Sequence, residues 1–355
     1  MSLFSCGPRA LKKYLITCMN ANLPAFITSS PGVGKSDIVR QIAKEYDLEV
    51  IDIRLSQCAP EDLLGLPRFE KDKDGVTRAR FTPFDLFPLE DTKLPPNKVG
   101  FALFLDEMNS APRSIQSAAY KLILDRMVGN HKLHPRCVII AAGNRKEDKA
   151  IVNDLSTATI SRLIHFQLEV NKDDWMYDYA IPNQLDGRII AFINAFPDKL
   201  NTFDPEKSDK TFACPRTWSF LDKLIKSKEQ LGNPNIADED LILFSGCVGD
   251  GVATEFINFV KVFTQVPKYA DIVKDPVNTP IPDESALKWA TITSLVQNAD
   301  KKDSAQFIKY VSNFDVSFQI VFLRMLLKKD GLYLSDKPTK QLILSLSQYL
   351  GDLNS

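Results

Sequence analysis

Through the first half of the chain, short apolar runs alternate with stretches whose apolar residues recur at every third or fourth position. The runs Pro24–Thr28, Glu49–Arg54, Phe101–Leu105, Cys137–Ala141 and Ile164–Leu168 predict strands. Ser36–Tyr46 and Arg113–Asp125 predict helices between them, and in the second Ile115, Ala118, Ala119 and Leu122 fall on one face. Strand and helix in alternation imply a parallel sheet wrapped by crossover helices. Pro67–Pro96 breaks the rhythm with several prolines, a turn-like Lys73-Asp74-Gly75 and period-two alternation over Val76–Phe81. It predicts an inserted hairpin and loop rather than a piece of the core.

Beyond about residue 170 the strand pattern stops. Thr254–Phe263 sets Phe256, Phe259, Val260 and Phe263 at helical spacing, and Val316–Leu327 does the same with Val316, Ile320, Leu323 and Leu327. Lys328, Lys329 and then Gly331 predict the end of that last helix. Apolar stripes of this kind read as core before they read as binding surface. The fold class expected is α/β: a parallel-sheet domain over 1–170 with an insert at about 67–96, an all-helical domain over 171–270, and a helical extension over 271–355.

Composition narrows the picture. Of 355 residues, 44% are hydrophobic and 25% charged, which excludes disorder over most of the length. No run approaches the roughly 18 apolar residues of a membrane span. Met1 to Ala10 lacks the basic and apolar regions of a secretory signal, so a cytoplasmic protein is expected. Lys and Arg number 44 against 45 Asp and Glu, so no global field points to nucleic acid or an anionic membrane, though a local basic surface stays open. Cys6, Cys18, Cys58, Cys137, Cys214 and Cys247 stand far apart without zinc-like spacing and read as small hydrophobes in a reducing compartment.

The chemistry is concentrated at the ends of three predicted strands. Ser29-Ser30-Pro31-Gly32-Val33-Gly34-Lys35-Ser36 follows one strand and opens a helix, the setting of a phosphate loop. Its glycines let backbone N–H groups turn toward phosphate, Lys35 would reach the β- and γ-phosphates, and the Ser36 hydroxyl would ligate Mg²⁺. Ser29 stands where the usual pattern has its first glycine, away from the close approach at Gly32 and Gly34. The buried run Phe101–Leu105 delivers Asp106, suited to hold Mg²⁺, and Glu107, suited to polarise an attacking water. A third strand ends in Gly143-Asn144, where the amide either senses the terminal phosphate or serves as an ordinary turn residue.

This order of motifs resembles the AAA+ superfamily, a three-layer P-loop core with a helical lid. The resemblance implies ATP as the nucleotide, since no base-reading motif is legible. It implies that the strand ending at Asn144 lies between the other two. Arg162, in Ile160-Ser161-Arg162-Leu163, is similar to the family's arginine finger, which reaches a neighbouring subunit's γ-phosphate; the plainer reading is a surface ion pair. Ala213-Cys214-Pro215-Arg216-Thr217-Trp218 is similar to the lid motif whose arginine, here Arg216, contacts nucleotide from above.

Asp62-Leu63-Leu64-Gly65-Leu66-Pro67, Asp106-Glu107-Met108-Asn109 with Ala111-Pro112 and Gln116, and Pro215-Arg216 resemble the MoxR branch over roughly residues 20 to 265. There Asn109 is usually followed by arginine; here it is Ser110, with Arg113 nearby. The branch implies a hexameric ring that remodels a protein client, and a partner bearing a von Willebrand factor A domain. Two elements could touch a substrate: the insert around Arg68–Phe84 with Lys71, Lys73, Arg78 and Arg80, and the hairpin over Val128–Pro135. Both also read as solvated charged loops. A nucleic-acid translocase and a nucleotide-gated scaffold with vestigial hydrolysis are the competing readings; steep salt dependence would mark the first, and the presence of Glu107, Asn144 and Arg162 argues against the second.

Overall fold

The apolar run that ends in two acids lies inside a six-stranded parallel sheet. The computed structural model describes residues 5–71, 73–149, 152–207, 209–263 and 266–350. Its strands in chain order are β1 (Ser5–Cys6), β2 (Ala25–Ser29), β3 (Leu48–Arg54), β4 (Leu66–Lys71), β5 (Thr77–Thr82), β6 (Gly100–Asp106), β7 (Met127–Val128), β8 (His131–Lys132), β9 (Cys137–Asn144) and β10 (Ile164–Leu168). The sheet runs β1-β10-β2-β9-β6-β3, every pair parallel. β1 escapes the sequence pattern because two residues carry no periodicity.

One compact unit comprises Met1–Val170 and Asp204–Glu206. Its helices are α1 (Pro8–Asn20), α2 (Lys35–Glu45), α3 (Pro60–Leu64), α4 (Arg113–Leu124) and α5 (Thr157–Ile160). Alternation along β6 explains how they sit. Phe101, Leu103 and Leu105 pack with Ile139 and Ala141 against Ile115, Ala119 and Leu122 of α4. Phe104 points the other way and joins Ile27, Ile140 and Ala142 beneath Leu11 and Leu15 of α1 and Ile38, Val39 and Ile42 of α2. Both faces of the sheet are covered, so its central strands read as continuous apolar runs.

The insert departs in part from expectation. β4 and β5 form an antiparallel ribbon exposed at every position. The loop after it is no mere excursion: Phe87 is 3% exposed and belongs to the α4-side core, with Leu89 and Leu94 packed beside it. Backbone bonds from Glu90 N to Lys132 O (3.0 Å) and from His134 N to Pro88 O (2.8 Å) strap that loop to the β7–β8 hairpin. The two elements singled out as substrate surfaces therefore adjoin, and His131 Nε2 lies 3.2 Å from Phe81 O.

The second unit, Asn171–Phe203 and Lys207–Ser355, has no strand among its described residues. Its helices are α6 (Lys172–Trp175), α7 (Gly187–Ala195), α8 (Pro215–Gln230), α9 (Leu241–Val248), α10 (Asp250–Phe263), α11 (Tyr269–Lys274), α12 (Ser285–Asn298), α13 (Ser304–Val311), α14 (Val316–Lys329), α15 (Lys337–Ser345) and α16 (Ser347–Leu350). Phe192, Trp218, Phe256 and Phe259 make an aromatic centre, with Phe192 5.6 Å from Trp218 and 5.4 Å from Phe256. The Phe263 side chain, part of the expected stripe, lies outside the described residues.

α14 ends at Lys329 as expected, but Asp330 rather than Gly331 makes the exit. Asp330 leaves the helix in extended backbone and its carboxylate accepts from Leu332 N, starting the next turn. Lys329 instead donates to Val296 O and Gln297 O (2.8 Å each), carbonyls at the end of α12. All six cysteines are free thiols, with Cys18, Cys137, Cys214 and Cys247 buried. Among the described residues no helix is long and apolar enough to cross a membrane.

Candidate active site

The site forms at the carboxyl ends of β2, β9 and β6, three neighbours in the sheet. β2 delivers Ser29 and the loop turns through Gly32 (φ 75°) and Gly34 (φ 104°), backbone that side-chain-bearing residues rarely adopt. Lys35 then begins α2, whose first N–H groups have no partner inside the helix and face the loop. Lys35 Nζ donates to Ser29 Oγ (3.0 Å) and Ser29 O (3.4 Å), and lies 3.5 Å from Asn144 Oδ1. The serine in the first loop position thus helps hold the lysine, a task glycine could not perform.

At the end of β6, Asp106 Oδ1 accepts from Glu107 N (2.9 Å). Glu107 itself occupies left-handed backbone (φ 56°, ψ 31°), strained for a residue with a side chain. Its carboxylate accepts from the hydroxyl of Ser56, in the turn after β3. Asn144 ends β9 directly between the two, opposite Ser29 across the β2 ladder. Strand order, not sequence proximity, brings Lys35, Glu107 and Asn144 to one edge.

Behind the loop lies a network that the sequence reading did not assign. Arg145 donates to Asp148 through Nε (3.1 Å) and Nη2 (3.0 Å), to Glu169 through Nη1 (3.2 Å), and to the hydroxyl of Ser30. The Asp148 side chain is only 2% exposed. Burial alone would lower the Arg145 pKa, but the hydrogen bond and charge of Asp148, with Glu169 and Glu147, outweigh it and hold it above its usual value. An acid three residues after an arginine was the one available signal.

Arg162, just before β10, is exposed. Its guanidinium donates to Ala158 O (2.8 Å) and lies over the Tyr120 ring, 5.5 Å from its centre. Among the described residues no carboxylate pairs with it, so the ion-pair alternative is not realised. Arg113 is exposed at the first residue of α4. Arg216 belongs to the second unit, exposed in the first turn of α8 after Pro215, where Thr217 Oγ1 accepts from Cys214 N (2.8 Å) to close the helix start.

A phosphate loop after one strand, an acid pair after another and an amide on the strand between define a P-loop nucleotide hydrolase site. Residues 25–168 match the family described as "ATPase family associated with various cellular activities (AAA)". That stretch is an AAA ATPase domain: it binds nucleotide, and its activity is ATP hydrolysis. No curated protein matches the chain in sequence. Among solved structures the chain is similar to a candidate ATPase of Cytophaga hutchinsonii, at 14% identity over 97% of this chain and 90% of that one, TM-score 0.33. It is also similar to NtrX of Brucella abortus, at 13% identity over 100% and 69%, TM-score 0.39. A mutant RuvB of Thermotoga maritima aligns at 14% identity over 77% of each chain, TM-score 0.38.

Proposed function

We propose that this protein is a Mg²⁺-dependent, ring-forming AAA+ ATPase of the MoxR type that converts hydrolysis into remodelling of a protein client in the cytoplasm. The observation that carries the reading is the meeting of Lys35, Glu107 and Asn144 at the carboxyl ends of three adjacent strands, with Lys35 Nζ 3.5 Å from Asn144 Oδ1. In this reading Ser29 through Ser36 cradle the phosphates and Lys35 neutralises the β- and γ-groups. The Ser36 hydroxyl and Asp106 carboxylate are hard oxygen donors of the kind Mg²⁺ accepts beside phosphate and water. When bound, the ion supplies charge neutralisation at the phosphates.

Glu107, released from Ser56, polarises the water, and the Asn144 amide orients it. Arg162 reaches the γ-phosphate of a neighbouring subunit and Arg216 approaches the nucleotide from the lid. Catalysis is then positioning plus electrostatics, with little covalent work for the protein. The DLLG and DEMN segments support the MoxR assignment, and with it a homohexamer and a partner carrying a von Willebrand factor A domain. The two adjoining hairpins are the surface assigned to the client.

Glu107→Gln and Lys35→Ala test the assignment. Glu107→Gln keeps ATP bound and lowers turnover on the order of 10³-fold, whereas Lys35→Ala weakens nucleotide binding itself. Normal turnover in Glu107→Gln refutes the role given to Glu107. One observation favours a second reading, a nucleic-acid motor: β4–β5 sets Arg68 opposite Arg80 and Arg78 opposite Glu70 on one face. Hydrolysis stimulated by DNA or RNA, with a steep salt slope, would establish it in place of the protein client.

A further inference from the structure

Two residues beyond Glu107 the chain carries a buried amide, Asn109, 6% exposed. β6 and β9 stay paired only as far as Leu105 opposite Ala141, while β9 runs on to Asn144. On its other flank β9 keeps its partner to the end, Ser29 opposite Asn144. The β6 side of Asn144 therefore has no strand to pair with. Asn109 takes that place: Nδ2 donates to Asn144 O (2.7 Å) and Oδ1 accepts from Asn144 N (3.0 Å). One carboxamide stands in for a peptide group and closes the ladder at the residue whose side chain faces Lys35.

The fit is close. A Cβ on Gly143 would lie 2.1 Å from Asn109 Oδ1 and 2.6 Å from its Cγ, so Gly143 leaves the space the amide occupies. The clamp is itself anchored, since Asn109 O accepts from Asn153 N (2.7 Å) and Asn153 Nδ2 donates to Ala111 O (2.9 Å). Ser110 N donates to Glu107 O (3.0 Å), so the clamp and Glu107 share a single tight turn. The turn that carries Glu107 is thus the same turn that holds the Asn144 backbone.

We propose that Asn109 is a positioning residue for hydrolysis: its carboxamide fixes where Asn144 stands relative to Glu107, and turnover depends on it while nucleotide binding does not. This rests on reading Asn144 as the residue that orients water. Misplacement of a catalytic group by about 1 Å can cost on the order of 10²-fold in rate, which sets the expected size. Asn109→Ala should lower kcat by that order and leave the nucleotide Kd unchanged. Gly143→Ala should do the same by pushing the amide aside. In the double variant the collision is gone, so its kcat should equal that of Asn109→Ala rather than the product of the two losses.

The measurement is kcat and equilibrium nucleotide Kd for the full chain and for Asn109→Ala, Gly143→Ala, the double variant and Asn144→Ala. An Asn109→Ala enzyme with normal kcat beside an inactive Asn144→Ala overturns the inference and leaves the reading of Asn144 standing. So does a loss of nucleotide affinity that parallels the loss of kcat, which marks a merely structural role. Multiplying losses in the double variant also overturn it. Normal turnover in Asn144→Ala removes the reading beneath it.

Discussion

The carboxyl edge of the sheet and the β4–β5 ribbon both hold arginines, under opposite conditions. Behind the phosphate loop, Arg145 is half-buried and spends its donors on Asp148, Glu169 and Ser30. On the ribbon, Arg68 and Arg80 face each other across the strands with side chains 71% and 62% exposed, and Glu70 reaches each at only 3.9 Å. Like charges directly opposed disfavour a strand pair. A buried charge must be answered by fixed partners, so it also fixes them, and the loop gains a geometry. An exposed charge supplies field without geometry, which suits choosing a partner rather than placing a water.

Arg162 lies between these cases and gives the sharpest test of the contrast. It is exposed like the ribbon arginines, yet the role assigned to it is chemical and belongs to another subunit's site. Arg162→Ala should lower turnover by about 10³–10⁵-fold, the range reported by arginine fingers generally. Mixing it with Glu107→Gln should restore activity, because some interfaces then pair an intact Glu107 with an intact Arg162. Turnover of the mixture against each variant alone is the measurement. No recovery, with subunit exchange demonstrated, would return Arg162 to the class of solvated surface charges.

The same contrast explains what could be read from the sequence. Asp106, Glu107 and Asn144 were legible because each sits where an apolar strand ends, and Lys35 because its glycine loop joins such a strand to a helix; strands announce themselves by pattern. The five strands expected for the sheet, β2, β3, β6, β9 and β10, lie within a few residues of their expected bounds. The supporting residues were not legible. Ser56 meets Glu107 across 51 positions, Asn109 meets Asn144 across 35, and Arg145 meets Ser30 across 115. Those meetings are decided by strand order, which local periodicity does not encode. Phe87 was misplaced for a related reason: a proline-rich segment reads as loop, and only the packed α4 face shows why one aromatic in it must be buried.

Arg145 should matter to stability more than to any single catalytic step. Arg145→Ala leaves the buried Asp148 carboxylate without its main partner. Loss of one member of a buried pair costs about 3–5 kcal/mol, discounted here to about 2 because Arg145 retains partial access to water. Adding Asp148→Asn should recover part of that loss, since the uncompensated charge is then gone. Denaturant unfolding of both variants checks this, and a loss in Arg145→Ala no larger than that of an exposed arginine would mean that the network is ornamental.

The smallest effect belongs to the ribbon. Arg80 has one distant carboxylate and a like charge directly across the strands, so its removal trades a weak attraction for relief of a weak repulsion. Each term is worth a few tenths of a kcal/mol at an exposed site. Arg80→Thr, a residue that favours strands, should therefore change the unfolding free energy by no more than about 0.5 kcal/mol, with either sign. The comparison with Arg145→Ala is made on the same protein by the same unfolding measurement, so differences in method cannot imitate it. A loss near 2 kcal/mol in Arg80→Thr would show that the ribbon's charges hold the fold, and the contrast between a geometry-giving arginine and a field-giving one would fail at its exposed end.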